Sequence, residues 1–334
     1  MIRINEVRPL YRHVMREALK TAWHERKLWV FALFAGVLQT GGVYDVLITS
    51  FRDMIAQIQS MPEVYLRTYG TSVGVRSWMQ TFSSSQTWIN LAIGIVFVVI
   101  ILGISFVAQG ALVHGIQTRA QGNPVRFKES LRVGWKHLLS IFGLNVLSLG
   151  VLWLVNAFLY IPVVYVLRGP SVWNVLATLA LFILLCVVTV CLTAVHMFGL
   201  QLIVQSGGFW KNLRHTWSYF ERSWVIVIEK AFLLLLIGMG ILAAAIVLGL
   251  IVCIPGFLIF LAAMTLGFWT VASVVSIVSW LLFFVVLILA AVFAITFQYA
   301  AWHGVFVRLN EGQALSKWHR FTKWLHEEAR LFHR

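Results

Sequence analysis

The sequence predicts an all-α polytopic membrane protein. Hydrophobic residues make up 60% of its 334 residues, charged residues make up only 11%, and the mean hydropathy is +0.87. Soluble domains carry about 25% charged residues, so a soluble chain of this composition could not cover its apolar surface. Apolar side chains that face acyl chains avoid that hydration cost. The predicted solvent is therefore the lipid bilayer.

Five long apolar stretches predict about six transmembrane helices. A span needs about 20 apolar residues, and the last stretch, residues 231–307, is too long for one helix. Ile254-Pro255-Gly256 divides it, because Pro and Gly together disfavour helix continuation. For residues 257–270 the alternatives are a re-entrant hairpin, a surface helix or part of a seventh span. The predicted spans are roughly 28–50, 88–118, 138–167, 172–205, 225–253 and 271–307.

The distribution of basic residues predicts the orientation. In a six-span arrangement, 22 of the 26 Lys and Arg residues fall on one side of the membrane. The positive-inside rule places that side, with both termini, in the cytoplasm of a bacterial inner membrane. An odd number of spans would carry the basic tail across the membrane. No cleavable signal peptide is expected, because the first apolar run begins near Leu28 after a basic stretch.

The net charge of +14 identifies the expected partners. Because the charges lie in short segments between apolar runs, anionic lipid head groups on the cytoplasmic face are the predicted partner, rather than nucleic acid. A membrane protein partner is a further alternative. The three cysteines lie inside apolar runs without CxxC spacing, which favours small buried side chains over a disulfide or a metal site. No cofactor is predicted.

An internal repeat is visible in three basic segments that share the pattern Leu-(Lys/Arg)-x-x-Trp. Each precedes an apolar span, and Leu and Trp four residues apart lie on one helix face. Such amphipathic helices suit the membrane interface, where indole rings and cationic groups both reach the head groups. The predicted interfacial residues are Lys20, Trp23, Arg132, Trp135, Arg214 and Trp217.

A second similarity lies at the cytoplasmic ends of spans: Ala111–Arg119 corresponds to Ala300–Arg308, with a degenerate middle counterpart at His196–Gly199. Together the two signals predict three parallel hairpin repeats, each preceded by a cytoplasmic amphipathic helix, around an axis along the membrane normal. The repeats cover residues 1–122, which include an outer segment at 51–87, then 123–208 and 209–311, with a final amphipathic helix at 312–334.

The stretches Gly110–Gly122 (GALVHGIQTRAQG) and Phe127–Trp135 (FKESLRVGW) resemble the recurring element of poorly characterised bacterial six-span membrane proteins. These proteins are similar to the membrane domain fused to some glycerophosphodiester phosphodiesterases. The likeness covers about half of the chain. It implies an envelope membrane protein. The soluble catalytic domain of the fused enzymes has no counterpart here, so the resemblance implies no phosphodiesterase activity and no catalytic residues.

Several polar residues in the spans are candidate intramembrane sites. His114 and His303 could relay protons or bind metal, but hydrogen bonding between helices beside Ala-xxx-Gly packing is favoured. Asp45 could gate or couple transport, although it lies about 26 Å beyond Leu28 along a helix, near the outer head groups. Glu229 and Lys230 are predicted to lie in the interface. Uncharged polar residues in the spans include Gln109, Asn145, Gln201 and Gln298.

The sequence contains no recognisable nucleophile–base pair or paired carboxylates, and an enzyme is the least favoured class. The leading hypothesis is a non-enzymatic membrane protein that organises lipids or envelope partners through its interfacial helices. The alternative is a channel or carrier for a small solute, using Asp45 and the polar span residues.

Overall fold

The computed structural model describes residues 10–36, 85–168 and 172–310, and every regular element within these ranges is an α-helix. Most of the helices are much longer than those of soluble domains, which average about 11–12 residues. The helices are α1 (Leu10–His24), α2 (Lys27–Gly36), α3 (Ser85–Ala120), α4 (Phe127–Lys136), α5 (Leu138–Arg168), α6 (Val172–Ser206), α7 (Phe209–Thr265) and α8 (Trp269–Asn310).

Five helices of the described ranges are long and apolar enough to cross a membrane, namely α3, α5, α6, α7 and α8. They confirm the prediction of a multi-pass helical membrane protein. Of the first predicted span, residues 28–36 belong to the short apolar helix α2. The rest of that span, with Asp45, lies outside the described residues, as do residues 51–84 of the outer segment and the predicted C-terminal helix at 312–334.

The boundary between the last two spans differs from the prediction. Helix α7 continues through Pro255 to Thr265, and the chain turns at Leu266–Phe268, where Gly267 has a φ of 78°. Residues 257–265 therefore extend the helix instead of forming a re-entrant hairpin or a separate surface helix. Membrane helices tolerate Pro because neighbouring groups and local adjustments compensate the lost hydrogen bond. The non-helical backbone of α7 lies instead at Ser223 (φ −134°, ψ 15°).

Buried residues concentrate at one end of the bundle, which we call the base. The base contains α1, α2 and α4 together with residues 105–120, 138–145, 193–206, 209–234 and 292–310 of the longer helices. Its fully buried side chains include Leu112, Phe198 and Trp302. The base also holds almost all of the buried polar side chains, so it is the part of the molecule where the helices are packed as in a protein core.

The remaining parts of the five long helices, which we call the arms, present mostly exposed apolar surface where the structure describes their side chains. They comprise residues 85–104, 146–168, 172–192, 235–265 and 269–291. At 1.5 Å per residue, the first arm is about 30 Å long and the arm of α7 about 46 Å. A bilayer hydrocarbon core is about 30 Å thick. The arms are therefore long enough to cross a bilayer on their own.

Candidate lipid-binding surface

The three segments of the base that carry the Leu-(Lys/Arg)-x-x-Trp pattern turn small residues toward the bundle. At equivalent positions, a buried residue directly precedes the Leu and another directly precedes the Trp of the Leu-(Lys/Arg)-x-x-Trp pattern. Residues four apart lie on one helix face, so each pair forms a narrow strip that lets the helix approach its neighbour closely. The pairs are Ala18 and Ala22 in α1, Ser130 and Gly134 in α4, and Asn212 and Thr216 in α7.

The Trp side chains of the pattern lie at the surface of the base. Trp23 is 61% exposed, Trp135 70% and Trp217 55%. The basic residues Lys20, Arg132 and Arg214 are exposed as well. Exposed indole rings beside cationic groups are typical of helices that lie at the head-group level of a membrane. All six predicted interfacial residues thus lie on the outside of the base.

Helix α4 packs on α3 with almost no space between the backbones. A Cβ placed on Gly134 would lie 3.0 Å from the Ala111 amide nitrogen and closer still to the Val107 carbonyl oxygen. A Cβ placed on Gly110 would lie 2.9 Å from the Gly134 Cα. One turn away, His114 Nδ1 lies 3.3 Å from Ser130 Oγ. The glycines therefore set the position of α4 on the bundle.

The other two segments with the pattern, in α7 and α1, also pack on glycines of the long helices. A Cβ on Gly199 of α6 would lie 3.7 Å from Thr216 Oγ1 of α7. A Cβ on Gly304 of α8 would lie 2.7 Å from a methyl carbon of Val14 in α1. Each of the three segments thus packs on the base portion of a different long helix: α4 on α3, the start of α7 on α6, and α1 on α8.

One histidine beside this surface has a shifted pKa. His137 lies between α4 and α5, and its ring faces Gly207, whose added Cβ would lie 3.3 Å from the His137 Cε1. Partial burial lowers the pKa of His137, and the neighbouring charge of Lys136 lowers it further. Neutral His137 is therefore favoured in the folded protein.

Polar side chains inside the base form two hydrogen-bonded clusters. In one cluster, Asn145 Nδ2 donates to Gln109 Oε1 (2.8 Å), and Gln109 Nε2 donates to Tyr299 Oη (3.1 Å). In the other, Gln201 Oε1 accepts from Gln117 Nε2 (2.9 Å) and from His303 Nδ1 (2.9 Å). The two clusters connect α3, α5, α6 and α8, as expected for polar groups that join helices in a membrane.

Some buried polar atoms of the base have no hydrogen-bond partner among the described residues. They include His196 Nε2, Gln201 Nε2 and Gln298 Oε1. Lys230, which was predicted to lie in the interface, is fully buried among the helices, and its ammonium group lies 3.7 Å from Met15 Sδ of α1. The sequence could not reveal this burial, because it results from the packing of α1 against the side of the bundle. No group of three or more His, Cys, Asp or Glu in the described ranges is placed to hold a metal ion.

A large groove opens where the arms of α5 and α6 meet the start of α7. Its volume is about 1110 Å³, slightly above the range of about 300–1,000 Å³ that is common for ligand pockets. Val151, Val188 and Cys191 line its apolar part. Lys211 and Arg214 line the end formed by α7. The sequence alone does not reveal this groove, since its walls come from three separate segments, residues 144–151, 187–195 and 210–217.

The geometry defines the class of the protein as a multi-pass α-helical membrane protein with a packed base and exposed apolar arms. Comparisons with protein-family models, with curated proteins and with solved structures gave no match.

Proposed function

We propose that the protein organises anionic lipids around its base through the three amphipathic segments. The observation that carries this proposal is the shared orientation of these segments. Each packs small residues on a long helix and leaves an exposed Trp and an exposed Lys or Arg on the outside. Basic residues near a membrane surface contribute about 1 kcal/mol each to the binding of anionic lipids.

The contacts among the helices support the proposed threefold repeat. α4 packs on α3, the start of α7 packs on α6, and α1 packs on α8. Each amphipathic segment therefore contacts the long helix that ends the preceding repeat, and the first segment contacts the last long helix, which closes a ring. In this proposal the molecule is a pseudo-threefold bundle with six spans, and α2 begins the first span.

We also propose that the base faces the cytoplasm of a bacterial inner membrane, with both termini on that side. The exposed Lys and Arg residues of α1, α4 and α7 support this orientation through the positive-inside rule. The proposed role is non-enzymatic. The proposed partners are anionic lipids, and the alternative partner is a membrane protein. Membership in the six-span protein group that Gly110–Gly122 resembles remains a prediction from sequence.

Lipid preference can be tested by electron paramagnetic resonance of spin-labelled lipids in proteoliposomes. The wild-type protein is expected to immobilise more spin-labelled phosphatidylglycerol than phosphatidylcholine. This preference should decrease with salt, because exposed charges are screened. In the double variant Lys20→Gln/Arg132→Gln, the preference should fall by up to about fivefold for each charge removed.

The matched control is Lys20→Arg/Arg132→Lys, which exchanges the same side chains but keeps both charges. It should retain the wild-type preference, since the proposed binding depends on charge at α1 and α4. Equal immobilisation of the two lipids by the wild-type protein would contradict the proposal.

A channel or carrier for a small solute is the second candidate, and the unpartnered polar atoms of the base favour it. Buried polar atoms nearly always have a hydrogen-bond partner, so Gln201 Nε2 and Gln298 Oε1 could bind a polar solute. Stopped-flow light scattering would measure the permeability of proteoliposomes to small neutral solutes. Permeability above that of protein-free vesicles, and lost in Gln201→Leu, would support this candidate, whereas equal permeability would exclude these solutes.

A further inference from the structure

We propose that the groove between α5, α6 and the start of α7 binds one anionic phospholipid, with its phosphate at Lys211 and Arg214 and an acyl chain along α5 and α6. The inference rests on the proposed function, and it goes further by assigning one site and one ligand. The interfacial helices would enrich anionic lipids loosely, whereas the groove would retain a single molecule.

The chemistry of the groove changes along its length as that of a phospholipid does. Its walls on α5 and α6 are almost entirely aliphatic, with Val151, Val187 and Val188 among the lining residues. At the other end α7 contributes Lys211, Arg214 and His215, all of which are exposed. An apolar wall that ends in basic side chains matches an acyl chain that ends in a negatively charged head group.

The charge at this end of the groove is positive. No Asp or Glu lies among the groove-lining residues in the described part of the chain. Glu221, one turn further along α7, accepts a hydrogen bond from Trp217 Nε1 at 2.5 Å, so that its carboxylate is held by a neighbouring indole. An anionic ligand therefore fits the groove better than a zwitterionic or cationic one.

The position of the groove also fits a membrane lipid. Its apolar wall belongs to the arms, which are long enough to cross a bilayer, and its basic end belongs to the base. Trp210 and Trp217 flank the basic end, and indole rings concentrate at the level of lipid head groups. A phospholipid could enter the groove from the side without leaving its leaflet.

Native mass spectrometry of the protein extracted in mild detergent would test the site. The wild-type protein, titrated with phosphatidylglycerol, is expected to bind one molecule more tightly than the others. Lys211→Gln/Arg214→Gln should weaken this binding about 30-fold, because each basic residue near the membrane surface contributes about fivefold to the affinity. The control Lys20→Gln/Arg132→Gln, which alters α1 and α4 but leaves the groove intact, should retain the tightly bound lipid.

A second variant tests the apolar wall. Val188→Trp places a large side chain in the groove and should displace the lipid, whereas Leu179→Trp on the exposed face of the same helix should not. Equal lipid binding by the wild-type protein and both groove variants would overturn the proposal. A mass that identifies the tightly bound molecule as a polypeptide would overturn it as well. If the groove variants lose the tight lipid while the spin-label preference persists, the site and the general enrichment are separate.

Discussion

At the scale of single residues, glycines decide how closely the base can pack. Gly134 brings the backbone of α4 onto α3, where any larger side chain would meet the Val107 carbonyl oxygen. Gly94 and Gly103, by contrast, lie in the arm of α3, and a Cβ at either position would have open space around it. Glycine therefore has a packing role at Gly134 in the base and none at Gly94 and Gly103 in the arm of α3.

Gly134→Ala is expected to destabilise the protein. The added methyl group would collide with backbone atoms of α3 that cannot move away, and overpacking of this kind typically costs about 1–3 kcal/mol. We expect the apparent Tm in detergent, followed by circular dichroism, to fall by a few degrees. Gly103→Ala on the helix that α4 contacts is the matched control and should leave the Tm unchanged or slightly higher, because Ala favours helix over Gly.

His137 should make stability depend on pH. Burial and Lys136 hold the pKa of His137 below its ordinary value near 6.5, so the unfolded state binds the proton more readily. The contribution of neutral His137 to the free energy of unfolding is therefore fully present above about pH 6.5. It is lost as the pH falls toward the lower pKa of His137 in the folded state. The difference in Tm between the wild-type protein and His137→Gln should therefore shift against the wild type between pH 7.5 and pH 5. A difference that is constant with pH would contradict this assignment.

At the scale of elements, the hairpin of α7 and α8 shows what the sequence could and could not predict. The 77-residue apolar stretch predicted two spans, and it forms parts of two helices that are each long and apolar enough to cross a membrane. The predicted position of the turn was wrong. Pro255 and Gly256 are local signals for a helix end, but the helix continues through both residues. In the folded hairpin, Gly256 is a site of close approach to Ser279 of α8. That contact depends on the partner helix, and local sequence does not reveal it.

The continuous helix through Pro255 predicts a specific disulfide. Cys253 Sγ lies 3.3 Å from the Ser279 carbonyl oxygen, so Ser279→Cys should place two thiols on facing helices. After mild oxidation and denaturation, maleimide-polyethylene glycol should add two fewer labels to this variant than to its reduced form. The control Ser279→Cys/Cys253→Ser should show no such loss. Full labelling of the oxidised Ser279→Cys protein would mean that α7 and α8 do not face each other here.

At the scale of the whole molecule, a densely packed base is joined to arms whose described side chains are mostly exposed. Hydropathy predicted the spans, because apolar length depends on composition alone. It could not separate base from arms, since both are apolar. The two parts differ in how far neighbouring helices cover their side chains. Leu112 of the base is fully buried, whereas Val96 in the arm of the same helix is 58% exposed. The groove could not be predicted from the sequence either, because it too depends on which helices lie next to each other.

The sidedness of the base can be measured by cysteine labelling. In a protein whose own cysteines are replaced by alanine, single cysteines at Arg16 and Lys128 should react with a membrane-impermeant maleimide from one side only, the cytoplasmic side. Single cysteines at Val96 and Leu281 should not react in sealed vesicles, because lipid disfavours the thiolate. Labelling of Arg16→Cys and Lys128→Cys from opposite sides would contradict a single basic face.

The unequal lengths of the arms make the thickness of the host membrane an energetic variable. The arm of α7 is about 46 Å long, whereas a hydrocarbon core is about 30 Å thick. Hydrophobic mismatch costs fractions of a kcal/mol per Å and is relieved by helix tilt or by local thickening of the bilayer. In bilayers with shorter acyl chains, α7 and α8 should tilt further from the membrane normal. In bilayers with longer acyl chains, they should tilt less. The protein would then respond elastically to the acyl-chain length of its surroundings.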